Sequence, residues 1–196
     1  YFVDPAKLTW HDETPFSETY QDIYWSSHAD SPLEEKQAVF VDPVRALARR
    51  CKPGSQITVC ELGFGFGINC LLTADMWRDL PPDCRLNFIS IEKHPVSKQD
   101  LAELLSKFEF SSHEPLLAQY PPHYRGQHVI WLSNNVRLLL IFDDIDDALG
   151  NLDAQVDLWF LDGFAPSKNQ AMWQPALYRK MFARSRQGAK VATYSA

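Results

Sequence analysis

Nowhere does this chain hold an apolar run approaching the roughly 18 residues that a membrane-crossing helix needs, so no membrane role is expected. No secretory leader is visible either, although the chain opens at Tyr1 rather than at a methionine. Cysteine is scarce. Cys51, Cys60, Cys70 and Cys84 are the whole set, and no two stand in CxxC spacing. A metal centre is therefore not expected, and Cys60 and Cys70, inside apolar runs, read as reduced core thiols of a cytoplasmic protein. Internal repeats and low-complexity tracts are missing. Acidic residues vanish after position 162: residues 163–196 carry +6 and residues 1–162 carry −12, giving −6 in all. A negative chain is a poor nucleic-acid binder, but this asymmetry also describes one face turned to an anionic partner, or simply a solvated helix face.

What is present is the composition of one globular domain: 196 residues, 45% apolar and 22% charged. From residue 57 apolar strands alternate with amphipathic helices. ITVCELG, LNFISIEK, VRLLLIFDD and VDLWFLD read as buried strands, with AKVATYSA as a last one. INCLLTADMWRDL, VSKQDLAELLSKF and QPALYRKMFARS read as helices. Asp146 and Asp147 fall in a short acidic connection, and residues 109–128, with Pro115, Pro121 and Pro122, read as a loop with a short helix. The alternation implies an α/β domain with a parallel sheet covered on both faces. Residues 51–196 form this core. Residues 1–50, aromatic at first and then helical with a break near Pro43, form an N-terminal extension packed on it.

The loop ELGFGFGIN ends the first strand and opens a helix. Its glycines, Gly63, Gly65 and Gly67, let the backbone turn tightly beside a ligand, and the helix start offers N–H groups to an anion. The dinucleotide pattern GxGxxG is not met in either frame. GxGxG preceded by Glu61 suits S-adenosyl-L-methionine better than a nicotinamide cofactor; a purely structural turn is the alternative. In doubly wound sheets ligands sit at the carboxyl ends of the strands. The second strand ends in Glu92, placed to accept from ribose hydroxyls. The third ends in Asp143 and Asp144, placed to accept from an adenine amino group with Phe142 or Ile145 against the ring. Asn69, Asp143, Asp144 and Asp162 join Glu61, the three glycines and Glu92 as candidate cofactor-binding residues.

The fourth strand ends in Asp162 and breaks into Gly-Phe-Ala-Pro. By the same geometry it lies at the reactive end of the cofactor. Phe164 and Trp173 are candidate walls for a flat base, and Lys168 a candidate phosphate or base contact. A primary amine, with a pKa near ~10 by analogy with lysine, is ammonium at neutral pH. A carboxylate alone would favour that charged form, while a sulfonium and desolvation oppose it. The expected role for Asp162 is to hydrogen-bond the amine, aim its lone pair and take up the charge that develops. Capping of the following turn is the competing explanation.

LTWHDETPFSETYQDIYWSS, PLEEKQAVFV, ELGFGFGIN, FISIEKHP, FDDIDDAL and VDLWFLDGFAPSKNQAMW resemble, in order along residues 8–195, the methyltransferase domain of the bacterial tRNA 5-methylaminomethyl-2-thiouridine biosynthesis bifunctional proteins. The resemblance implies a class I S-adenosylmethionine-dependent, Rossmann-like fold with a mostly parallel sheet. It also implies methylation of the 5-aminomethyl nitrogen on a wobble uridine of tRNA, with Asp162 catalytic. The family's adenine-side acid falls on Asp144, while Asp143 stands where the family has glycine. The family's FAD-dependent oxidase domain has no counterpart, so a separate or fused oxidase partner is expected and no FAD in this chain. The family continues beyond ATYSA, so its terminal strands are expected to be missing. Tyr20, Asp22, Tyr24 and Glu35 either close over the cofactor or merely cover the core. Rival readings are a small-molecule amine methyltransferase, a non-catalytic RNA-binding module and, least favoured, a nicotinamide oxidoreductase.

Overall fold

A computed structural model describes residues 1–24, 32–163 and 167–194. Strands β1 (Leu8–His11), β2 (Thr14–Ser17) and β3 (Asp22–Ile23) open the chain as a small antiparallel sheet. Helix α1 (Pro32–Lys36) runs through a wide turn, Gln37–Val41, into α2 (Asp42–Ala48). The wide turn absorbs Pro43, whose missing N–H and bulky ring would otherwise break the ladder. It also delivers Phe40 and Val41 to the core, so the core begins before residue 50.

The main body alternates β4 (Gln56–Leu62), α3 (Ile68–Trp77), β5 (Arg85–Glu92), α4 (Lys98–Leu105), α5 (His113–Gln119), β6 (Gly126–Ser133), β7 (Val136–Phe142), α6 (Ile145–Asn151), β8 (Val156–Leu161), α7 (Pro175–Ala183) and β9 (Ser185–Thr193). One sheet orders these strands β6-β7-β5-β4-β8-β9, with only the β6–β7 pair antiparallel. The side-chain period of two splits the core cleanly. Val59, Phe88, Leu140 and Phe160 face α3 and the N-terminal helices. Cys60, Ile91, Ile141 and Trp159 face α6 and α7. The mostly parallel α/β architecture is therefore as the alternation implied.

Four local expectations are corrected. Residues 126–133 form a full antiparallel strand, β6, joined to β7 by the two residues Asn134 and Asn135. Its alternating exposure, with Val129 and Trp131 outward and Ile130 and Leu132 inward, is the mark of an edge strand with one dry face. The acidic connection is helix α6, which starts where Asp144 accepts a bond from the Asp146 N–H at 2.9 Å. The last strand starts at Ser185, four residues early, because α7 stops at Ala183. Phe142 is fully buried on the α3 side of the sheet against Tyr120, and so is withdrawn from any ligand ring.

Candidate functional site

Strand order reverses between β4 and β8: sequence runs from β4 to β5 and β7 on one side, and to β8 and β9 on the other. Ligands bind at such switch points, outside the strands' carboxyl ends. A hollow lies there. Its floor is Glu61, Gly63, Gly65 and Asn69; Glu92 and Ile145 line one end and Asp162 the other. Lys36, Tyr20 and Tyr24 reach in from the N-terminal region.

The loop between β4 and α3 holds its shape through glycine. Gly67, at φ +71°, caps α3, and a Cβ there would come within 2.6 Å of the Phe64 ring. Both the backbone conformation and the close ring demand glycine. Gly65 gives its N–H to Glu92 Oε2 at 2.9 Å, and the His94 N–H reaches Oε1 at 2.8 Å. A carboxylate has about four acceptor sites, so Glu92 keeps capacity for a hydroxyl. Burial raises the carboxyl of Glu92 above its ordinary value, and backbone N–H bonds from Gly65, His94 and Phe64 oppose the rise. Tyr20, near Glu92 and Asp144, is pushed up to about 12, chiefly by burial, and so remains a neutral phenol.

At the other end two acids share one amide. Glu61 and Asp162 follow the strand period onto the α3 face, and the first turn of α3 places Asn69 between them. Asn69 Nδ2 donates to Asp162 Oδ2 at 2.7 Å and to Glu61 Oε1 at 3.1 Å, and Ser90 Oγ donates to Glu61 Oε2 at 2.7 Å. Glu61 is 1% exposed and its carboxyl is pushed up to about 8. Burial is the main cause; the Ser90 bond opposes it and the charge of Asp162 adds to it. Asn69 is 3% exposed, yet its Oδ1 finds no partner among the described residues. A buried acceptor without a donor is costly, so it invites one from a ligand. Free carboxylate lone pairs, an orphaned amide oxygen and a glycine floor fit a cofactor that carries a ribose and an amino-acid ammonium.

The other sequence candidates are dispersed. Asp143 turns away from the hollow to the Arg125 guanidinium, at 2.7 Å. Asp144 caps α6 and pairs with Lys93 at 3.0 Å. Ile145 lines the hollow where Phe142 was the alternative. Lys168 is exposed in a turn, and Asn169 beside it lines the hollow instead. Trp173 packs on the α6–α7 side, its indole N–H buried without a partner among the described residues. Phe164 lies outside the described residues. Of the basic residues after position 162, Lys180 holds Asp146, Arg186 holds Asp157, and Arg184 caps carbonyls at Gly150 and Leu152.

Sequence reasoning missed Lys36, whose ammonium lies 2.5 Å from Asp162 Oδ2. A signal was available. Lys36 stands three residues after Leu33 and four before Phe40, on the apolar stripe of its helix, where a cation needs a buried partner.

A family model described as S-adenosyl-L-methionine-dependent methyltransferase matches residues 108–196. The tRNA 5-methylaminomethyl-2-thiouridine biosynthesis bifunctional protein of Methylobacillus flagellatus is 40% identical, across 97% of this chain and 30% of its own length. That of Hydrogenovibrio crunogenus is 37% identical, across 99% of this chain and 30% of its own. The chain thus spans about 30% of the curated relatives it matches. The crystal structure of MNMC2 from Aquifex aeolicus superposes with a TM-score of 0.72 at 21% identity, covering 98% of this chain and 61% of that one, which speaks for the fold. On these matches and this architecture, the chain is similar over nearly its whole length to the S-adenosyl-L-methionine-dependent methyltransferase part of the tRNA 5-methylaminomethyl-2-thiouridine biosynthesis bifunctional proteins.

Proposed function

We propose that this chain moves the methyl group of S-adenosyl-L-methionine to the nitrogen of a 5-aminomethyl group on the wobble uridine of tRNA, giving 5-methylaminomethyl-2-thiouridine. The observation that carries the reading is the meeting of the Asp162 carboxylate with the glycine loop in one hollow. The relatives' names supply the substrate.

Glu92 is the residue to hold the ribose, Asp144 and Ile145 the adenine end, and Asn69 with the Gly63–Gly67 loop the amino-acid end. When bound, the cofactor supplies a methyl already activated by its sulfonium. The chain's remaining task is placement. Asp162 accepts a hydrogen bond from the amine and directs the lone pair, the kind of alignment that supplies several kcal/mol of a barrier, roughly 7–11 in the best intramolecular cases. Lys168 and Arg179, both exposed and without an ion pair among the described residues, are candidate contacts for the tRNA backbone. An FAD-dependent oxidase, fused or separate, is the expected source of the amine, and the cytoplasm the expected compartment.

The test is mass spectrometry of wobble nucleosides after incubating aminomethyl-bearing tRNA with the chain and isotope-labelled cofactor. A labelled 5-methylaminomethyl-2-thiouridine is expected. Label on free polyamines but not on tRNA would move the reading to a small-molecule amine methyltransferase.

A further inference from the structure

Only a neutral amine has a lone pair to offer, and a primary amine at neutral pH is mostly protonated, with a pKa near ~10. A solitary carboxylate beside it would deepen the difficulty, since opposite charge holds the proton on. Asp162 is not solitary. Lys36 Nζ sits 2.5 Å from its Oδ2, with the two side chains 14% and 18% exposed. The same oxygen accepts from Asn69. The Lys36 ammonium also lies over two aromatic rings, 5.7 Å from the Phe40 centroid and 5.6 Å from that of Tyr194. Those contacts hold a cation in place without neutralising it.

We propose that Lys36 is a positioning residue that cancels the charge of Asp162 toward the incoming amine, so that the substrate nitrogen gives up its proton to solvent as it enters the site. The inference rests on the amine-methylating reading above. The groups around the pair are Glu61 on β4, Asn69 on α3, Glu35 on α1 and Tyr194 after β9. Glu61, pushed up to about 8 mainly by burial, adds little negative charge near neutrality. Glu35 is exposed and outside the lining of the hollow, so Asp162 and Lys36 together leave the reacting end close to uncharged. An uncharged surround in a half-dry pocket disfavours an ammonium. In the transfer the nitrogen lone pair forms the N–C bond as the methyl–sulfur bond breaks, its electron pair staying on sulfur. The products are a secondary ammonium and a thioether, and the proton shed earlier has gone to water.

Proton release on binding reads this directly. Aminomethyl-bearing tRNA is titrated into the protein loaded with sinefungin, in two buffers of different ionisation enthalpy near about pH 7. Wild type should release about one proton per tRNA beyond that seen with tRNA lacking the aminomethyl group. Lys36→Met and Lys36→Gln should release far less, and Lys36→Arg should match wild type. In turnover, the rising limb of kcat against pH, which reports groups in the bound complex, should move up by about one unit in the two neutral variants, about tenfold less activity near neutrality, with recovery at high pH. Sinefungin affinity reports whether each variant keeps a folded site. The proposal is overturned if either neutral variant, still binding sinefungin, keeps the wild-type proton count and limb, or if Lys36→Arg shifts as far as Lys36→Met. A wild-type chain that neither binds nor methylates this tRNA removes the amine reading as well, an outcome separate from any difference among variants.

Discussion

Two groups of acids stand at equivalent places, the carboxyl ends of parallel strands, yet the fold treats them in opposite ways. After β7, Asp143 and Asp144 meet Arg125 and Lys93 near the surface, with Arg125, Lys93 and Asp144 about half exposed. At the ends of β4 and β8, Glu61 and Asp162 share the amide of Asn69 below the surface, and Lys36 comes from a distant helix to reach the second. Exposed pairs are screened and exchange partners readily. Buried polar networks are costly to break and therefore keep their geometry. The first end suits recognition of a cofactor that must come and go. The second suits chemistry, where about an ångström of misplacement is expensive.

The largest test of that contrast is Asp162→Asn. Asparagine keeps the shape but loses the charge and one acceptor, and it leaves Lys36 without its carboxylate. Turnover should fall about 100-fold or more, while affinity for S-adenosyl-L-methionine by calorimetry changes by less than about threefold, a bond or less in energy. Equal losses in both would make Asp162 a cofactor ligand and erase the division of labour.

Glu61→Gln is the next step down, and it is read in stability. The Glu61 carboxyl lies near 4.5 when unfolded and is raised to about 8 by burial in the fold. Between those values the native state binds the extra proton, so this residue's contribution is whole below the lower value and fades as pH rises through the upper one. The melting temperature of the cofactor-free protein should therefore decline by several degrees from about pH 5 to about pH 8. Glutamine resembles the neutral carboxyl and can still bond to Ser90 and Asn69. Its variant should show a flatter profile over the same window. A profile as steep as wild type would assign the decline to other groups.

How much of this was legible beforehand depends on the range of the interaction. The β4, β5, β7 and β8 strands announce themselves as continuous apolar runs because both faces are buried, and the glycine loop does so because its left-handed turns admit little else. Strand β6 hid because its one dry face leaves Val129 and Trp131 outside, which blurs the pattern beside a proline-rich segment. Helix α6 hid behind its own acids, which are its cap and first turn. Asp162 and Asn69 are 93 residues apart and Asp162 and Lys36 are 126 apart. No local period encodes such pairings. Lys36 offered only its misfit on an apolar stripe, and that misfit became informative once Asp162 was placed under it.

The smallest effects lie at the exposed end, where neighbouring acids separate by what each bonds. Asp144 Oδ1 caps α6 and Oδ2 holds Lys93. Partial burial raises its carboxyl, but the Asp146 N–H and the Lys93 charge outweigh burial and hold it below the ordinary value. Asp144→Ala should cost about 1 kcal/mol, the usual worth of an N-cap, and this loss should shrink at low pH as the wild-type carboxylate protonates. It should also weaken cofactor binding by about tenfold, the scale of one lost hydrogen bond to a charged acceptor. Asp143 faces Arg125, outside the hollow, so Asp143→Ala should change cofactor affinity by no more than about twofold, as for exposed pairs. Calorimetric titration of the two variants settles which acid meets the adenine: a greater loss from Asp143→Ala would mean that Arg125 gives up its partner when the cofactor binds.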